Sequence, residues 1–190
     1  MFRKLNTEEI VRLSVEEFRA ADKIPVTIVL DNVRSLHNVG SVFRTADAYC
    51  FEQIFLCGIT ATPPNAEIHK SALGAEFSMK WQYFDDTEQA VLNLKQFGYK
   101  ILAIEQAQGS VMLNDYKMDK NQKQALIFGN EVNGIQQKVI DLCDHCLEIP
   151  QFGTKHSLNV SVAAGIVIWE FYNQLKMCNN FAQAYKRSYL

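Results

Sequence analysis

The sequence predicts an α/β protein, a parallel sheet flanked by helices and preceded by short N-terminal helices. From Pro25 onward, short runs rich in β-branched and aromatic residues alternate with helical stretches, the pattern of successive βα units. The chain has 190 residues and no internal repeat, the size of a single domain. A chain of this size buries roughly 70% of the surface its unfolded form exposes, enough for a core without disulfides.

Residues 1–24 hold two capping-box patterns, Asn6-Thr7-Glu8-Glu9 and Ser14-Val15-Glu16-Glu17, each with a Glu placed to reach back to orphan backbone amides. They predict two short helices whose Leu5, Ile10, Leu13 and Phe18 share one side and dock onto the main fold. The domain proper runs over 25–178, with a tail at 179–190. Its strands are expected at Val26–Leu30, Gln53–Leu56, Met79–Phe84, Lys100–Glu105, Gln124–Phe128 and Leu147–Ile149. Its helices are expected at Ser41–Tyr49, Thr87–Phe97 closed by Gly98, Ile135–Leu142 and Asn159–Met177. Trp81, Tyr83 and Phe84 read as strand residues packing a sheet rather than as a stacking platform for bases.

Composition excludes several classes. With 48% hydrophobic and 21% charged residues the chain is neither disordered nor collagenous. The apolar stretch from Val160 to Tyr172 is broken by Ser161 and Glu170 and falls short of the ~20 apolar residues a membrane span requires. The start, Met-Phe-Arg-Lys, lacks the apolar centre of a secretion signal. The five cysteines (Cys50, Cys57, Cys143, Cys146, Cys178) are an odd set that reads as small hydrophobes in a reducing compartment. A cytoplasmic protein is expected. Cys143-Asp144-His145-Cys146 resembles half a metal site, but a tetrahedral site needs four ligands and no second pair of matching spacing exists, so no metal is expected.

A net charge of −2 and a pI near 6.1 give no overall basic excess, so any polyanion must be met locally. Basic residues gather near the ends, as Arg3, Lys4, Arg12, Arg19 and Lys23 and as Lys176, Lys186 and Arg187, a pattern that also fits solvated helix faces.

Parallel sheets bind ligands beyond the carboxyl ends of their strands, and three loops there carry polar clusters. The first, from Asp31 to Gly40, opens the helix that carries Arg44; Asn38 and Gly40 suit a tight turn, and Arg44, one turn into the helix, could hold a phosphate or a developing oxyanion. It could equally pair with Asp31 or Asp47. The second loop, Gly129-Asn130-Glu131-Val132-Asn133-Gly134, brackets an acid between two glycines that allow close backbone approach; as an isolated signal it also fits a plain Asn-Gly turn. The third, from Pro150 to Asn159, gathers Lys155, His156, Ser157 and Asn159 before the last helix, with Ser157 and Asn159 as candidate helix caps.

Taken together, the loops resemble the three motifs of the SpoU (TrmH-like) family of SPOUT RNA methyltransferases. The first motif is seen in Asn32 to Ala48, with its Asn-x-Gly-x-x-x-Arg-x-Ala core; the second in Phe128 to Ile135; the third in Ile149-Pro150 followed by Lys155 to Ala164. Lys70-Ser71-Ala72-Leu73-Gly74-Ala75 is a softer match to a further segment. Many members carry Gly directly after the second-motif Glu, where this chain has Val132.

The resemblance implies a C-terminal deep trefoil knot, a homodimer with the last helix and the first-motif helix near its interface, and S-adenosylmethionine as cofactor. By matching positions it implies that Ile104, Gly129, Ile149 and Leu158 line the cofactor pocket. It also implies methyl transfer to a ribose 2′-hydroxyl in structured RNA, with Arg44, Asn38, Glu131, Ser157 and Asn159 as the catalytic set. Arg44 would stabilise the incipient alkoxide or act as base, Asn38 would orient Arg44 or hold the ribose, and Glu131 would anchor Arg44 or a loop amide. Ser157 and Asn159 would fix the loop and the acceptor. The basic N-terminal residues and the Lys186-Arg187 tail would favour a compact tRNA slightly over rRNA. Two rivals stand beside this reading: a knotted RNA-binding protein without chemistry, and a small-molecule enzyme using the first loop for a phosphate.

Overall fold

The computed structural model of the protein describes residues 2–10 and 12–176. The tail at 179–190, the end of the last helix at Met177, Cys178, Lys186 and Arg187 lie outside the described residues.

Seven strands form one sheet: β1 (Ile24–Asp31), β2 (Phe51–Cys57), β3 (Lys80–Phe84), β4 (Lys100–Ile104), β5 (Val111–Met112), β6 (Gln124–Phe128) and β7 (His145–Glu148). Their order is β3-β2-β1-β6-β4-β7-β5, and every pairing is parallel. The helices are α1 (Val15–Ala20), α2 (Leu36–Ala48), α3 (Ala66–Ala72), α4 (Ala75–Ser78), α5 (Thr87–Gln96), α6 (Gln137–Ile140) and α7 (Val160–Lys176).

The central strands are apolar on both faces because both faces are covered. Val26, Ile28 and Leu30 of β1, with Leu126 and Phe128 of β6, pack with Phe43 of α2, Ile68 of α3 and Phe171 of α7. Val29, Ala125 and Ile127 point the other way, onto Ala90, Val91 and Leu94 of α5 and Val139 of α6. One polar pair in this interior is matched, Gln53 donating from its side-chain amide to Thr27 Oγ1 at 3.1 Å.

Several element boundaries move for local reasons. The helix expected from Ser41 begins at Leu36, because the Ser35 hydroxyl caps it by accepting from the Asn38 amide. Asn38 and Gly40 therefore lie inside α2 rather than in a tight turn. Gly40 serves close packing: a Cβ there would fall 2.1 Å from Ser71 Oγ and 2.4 Å from the Ile68 carbonyl oxygen of α3. The helix expected at Ile135–Leu142 shortens to α6, since Gln136 is extended and the Ile135 amide is bound elsewhere. The short helices α3 and α4 and the two-residue β5 were not expected.

At the N-terminus the Ser14–Glu17 capping box is complete, the hydroxyl accepting from the Glu17 amide at 3.1 Å and the carboxylate from the Ser14 amide at 2.8 Å. The Asn6 pattern closes only a 3-10 turn, Thr7–Glu9, which offers no continuous face. Phe18 docks into the core as expected, but Leu5 and Leu13 are 37% and 55% exposed.

Candidate active site

The strand order sets the three loops side by side. β1 pairs with β6, β6 with β4, and β4 with β7, so the segments leaving β1, β6 and β7 meet at one end of the sheet.

Glu131 joins the second loop to the first. Its carboxylate accepts from the backbone amides of Arg34 and Ser35, each at 3.2 Å, and from the Asn38 side-chain amide at 3.1 Å. Partial burial pulls this carboxyl upward, but hydrogen bonds from its own amide, the Arg34 amide, Asn38 and the Ser35 amide outweigh it. Glu131 therefore ionises below the usual carboxylate range. Of the two anchoring roles considered for it, the loop amide is the one present.

Asn38 is buried and faces both ways. While its amide nitrogen donates to Glu131, its Oδ1 accepts from the Asn159 side-chain amide at 3.2 Å. Asn159 also caps α7, its Oδ1 accepting from the Ser161 amide at 2.9 Å and its carbonyl from the Ala163 amide. One side-chain chain, Glu131–Asn38–Asn159, thus ties all three loops together, and Asn38 orients these partners rather than Arg44.

Arg44 is the ninth residue of α2, two turns in rather than one. By helix geometry it stands about 9 Å along the axis and about a third of a turn round from Asn38. It is exposed and makes no hydrogen bond or ion pair among the described residues. Neither carboxylate considered as a partner holds it: Asp31 accepts from Thr87 Oγ1 and Asn32, and Asp47 accepts from the Ser78 hydroxyl. The guanidinium is a free charge facing solvent. Ser157 is exposed and caps nothing; the segment from Phe152 to Asn159 is exposed throughout.

Three of the expected pocket residues sit at adjacent strand ends. Ile104 pairs with Phe128 of β6 and Leu147 of β7, placing it between Gly129 and Ile149, all three half-buried. Leu158 follows at 37% exposure. A Cβ at Gly129 would lie 2.3 Å from the Gly134 backbone, so the second loop folds back on itself without a side chain between. Apolar strand ends beside bare backbone suit a nucleoside held by its faces and edges.

Residues outside the expected set also build the site. Asn130 donates to the Asn32 carbonyl at 2.7 Å and accepts from the Val132 and Asn133 amides. Asn32, held at a φ of 56°, accepts from the Ile59 amide at 3.1 Å. Asn130 bonds the backbone of its own loop, a habit of Asn that was visible in the motif letters, whereas the Asn32 contact is made across the fold.

Cys143 and Cys146 are half-buried thiols, the first pushed up to about 12 by burial. Among the described residues no group of three or more His, Cys, Asp or Glu could hold a metal ion, and no helix is long and apolar enough to cross a membrane.

A model of the SpoU rRNA Methylase family matches residues 25–169. The chain is 30% identical over 155 residues to the 23S rRNA (guanosine-2′-O-)-methyltransferase RlmB of Neisseria meningitidis serogroup B, covering 82% of this chain and 61% of that protein. It is 31% identical over 150 residues to the tRNA (guanosine(18)-2′-O)-methyltransferase of Aquifex aeolicus, covering 77% and 68%. The AdoMet-bound rRNA methyltransferase from Sinorhizobium meliloti superposes with a TM-score of 0.75 at 29% identity, covering 83% of this chain and 60% of that one. The match thus spans about three fifths of the Neisseria and Sinorhizobium proteins. With a model match across most of its length and its three motif loops joined at one end of a parallel sheet, the chain belongs to the SpoU rRNA Methylase family.

Proposed function

We propose that the protein transfers a methyl group from S-adenosylmethionine to a ribose 2′-hydroxyl of a structured RNA. The observation that carries this reading is the Glu131–Asn38–Asn159 chain, which fixes the three loops at the start of the helix that carries an unpaired Arg44. Both relatives named above as guanosine 2′-O-methyltransferases act on that class of acceptor, one on 23S rRNA and one on tRNA.

Ile104, Gly129, Ile149 and Leu158 would hold the cofactor, which when bound supplies an activated sulfonium methyl. The protein then needs no nucleophile of its own. Its loops would have to bring the acceptor hydroxyl within reach of that methyl, and its charges to stabilise the oxygen as its proton passes to solvent water. Arg44 supplies that charge: a guanidinium stays protonated at any ordinary pH, so it acts by electrostatic stabilisation and by holding the adjacent phosphate. Asn159 and Asn38 keep the third loop in register with the first, and Ser157, on the exposed stretch of that loop, contacts the acceptor.

Homodimerisation belongs to the same reading. The outer side of α7 exposes Val162, Ile166 and Trp169, which are 51%, 38% and 47% exposed at helical spacing, a stripe suited to a second copy. Beside it Tyr49, Trp169 and Tyr172 form a ring cluster linking the end of α2 to α7. Family membership supports the deep knot at the C-terminal end, and the four free thiols among the described residues support a cytoplasmic location.

Of Arg3, Lys4, Arg12 and Arg19, the N-terminal residues taken to favour tRNA, Arg3 already pairs with Glu9 at 2.7 Å and Arg19 donates to the Phe77 carbonyl. The substrate pool is therefore decided by experiment: labelled S-adenosylmethionine, with tRNA and rRNA separately prepared from cells lacking this gene. Label in one pool is the expected result and names the substrate class. No label in either pool despite cofactor binding would replace the enzyme by a non-catalytic RNA-binding protein.

A further inference from the structure

β4 lies between β6 and β7, so the residues just past its end stand between the second and third loops. They are Glu105 and Gln106, and each reaches to one side. The Glu105 backbone continues the strand, its amide donating to the Leu147 carbonyl at 3.1 Å. Its carboxylate turns toward the second loop, where Oε2 accepts from the Ile135 amide at 3.0 Å, while Oε1 accepts from the Gln106 amide at 2.9 Å. Contact with that loop is close: Gly134 has a φ of +64°, and a Cβ there would lie 2.2 Å from Glu105 Oε2. Gln106 turns the other way and donates from its side-chain amide to the His156 carbonyl at 2.7 Å.

We infer that Glu105 and Gln106 are positioning residues that clamp the two cofactor loops and set the affinity for S-adenosylmethionine. The inference rests on the functional reading above. Glu105 fixes the far end of the 129–135 loop, whose near end is held by Asn130 hydrogen-bonding the Gly134 backbone in both directions. Gln106 is the only described side chain bonded to the backbone of the exposed stretch from Phe152 to Leu158. Without the clamp these loops must be ordered by the ligand itself, at a cost in affinity. Neither residue hydrogen-bonds Arg44, Asn38 or Glu131; Gln106 holds the carbonyl next to Ser157, so of the two only Glu105 acts on the cofactor apart from RNA.

The test is calorimetric titration of the full chain with S-adenosylmethionine, for wild type, Glu105→Gln, Gln106→Ala and Gln106→Glu. Amide exchange at Ile135 and the KM for RNA at saturating cofactor are measured beside it. Glu105→Gln turns one of the two acceptor oxygens into a donor, and loss of a hydrogen bond to a charged acceptor predicts a rise in Kd of about tenfold or more with faster exchange at Ile135. Gln106→Ala raises Kd about threefold to tenfold, and Gln106→Glu, which sets a carboxylate against the His156 carbonyl, does so at least as much. The KM for RNA stays put in Glu105→Gln. Should Glu105→Gln fail to fold, the exposed Gln106 variants carry the test. Variants that bind the cofactor as tightly as wild type, or a Glu105→Gln that raises the KM for RNA in step with Kd, overturn the clamp. A wild-type protein that takes up no cofactor overturns instead the functional reading beneath it.

Discussion

The Asn159 side-chain amide donates to Asn38 Oδ1 at 3.2 Å, a contact between residues 121 apart in sequence. Because Asn38 at the same time donates to Glu131, its two ends are fixed by different loops and its amide cannot turn over without losing both bonds.

Asn38→Ala removes this link. A buried hydrogen bond to a charged acceptor contributes about 1.5–3 kcal/mol, so turnover should fall ~10- to 100-fold if loop register limits the reaction. Asn38→Asp should be worse, since it sets a second carboxylate against Glu131. Single-turnover rates, with thermal melts showing the fold retained, check this.

Arg44→Ala should leave the melting temperature unchanged, because the guanidinium bonds nothing in the free protein. S-adenosylmethionine binding should persist while methyl transfer drops by orders of magnitude. Arg44→Lys should restore little, since an ammonium lacks the planar fork. Retention of a near-normal rate by Arg44→Ala would remove it from the mechanism.

Glu131 sets the acid limit of the assembled site. Its carboxyl is depressed in the folded protein, so its stabilising contribution is complete above the unfolded value near pH 4.3 and is lost as pH falls through the lower folded value. Exchange protection of the Arg34 and Ser35 amides should therefore hold from neutral pH down past the ordinary carboxylate range and then collapse. Glu131→Gln should weaken that protection at neutral pH and remove its acid dependence.

Gly40→Ala should reverse the usual helix rule. Alanine in an exposed helix interior is favoured over glycine by about 1 kcal/mol. Here the added Cβ meets Ser71 Oγ and the Ile68 backbone of α3 at 2.1 and 2.4 Å. Overpacking of this type costs about 1–3 kcal/mol, and urea denaturation should show a net loss.

These sites also show where the sequence was legible. Glu131, Asn38 and Asn159 stood out as polar residues just past strand ends, and the structure joins them. The start of α2 did not stand out, because Asn38 and Gly40 carry turn propensity, and only the packing of α3 against Gly40 makes a helical glycine useful. Ser157 shared its neighbours' chemistry on paper, yet the cap is made by Asn159 two residues on. Glu105 and Gln106 had no local signal at all. Their partners lie in other loops, 30 residues away at Ile135 and 50 at His156, and strand order alone brings them together.

If the proposed dimer forms through α7, the wild type should sediment as a dimer and Ile166→Glu as a monomer by analytical ultracentrifugation, since the substitution places a charge in the middle of the apolar stripe. A wild type that is monomeric at micromolar concentration would refute the dimer.

The most direct measurement locates the methyl group. RNA labelled by the wild-type protein is digested with alkali, which cleaves every linkage whose 2′-hydroxyl is free. One alkali-resistant dinucleotide carrying the label is expected, absent when Arg44→Ala replaces the wild type. Label recovered in mononucleotides, on a base, would contradict methylation of the ribose.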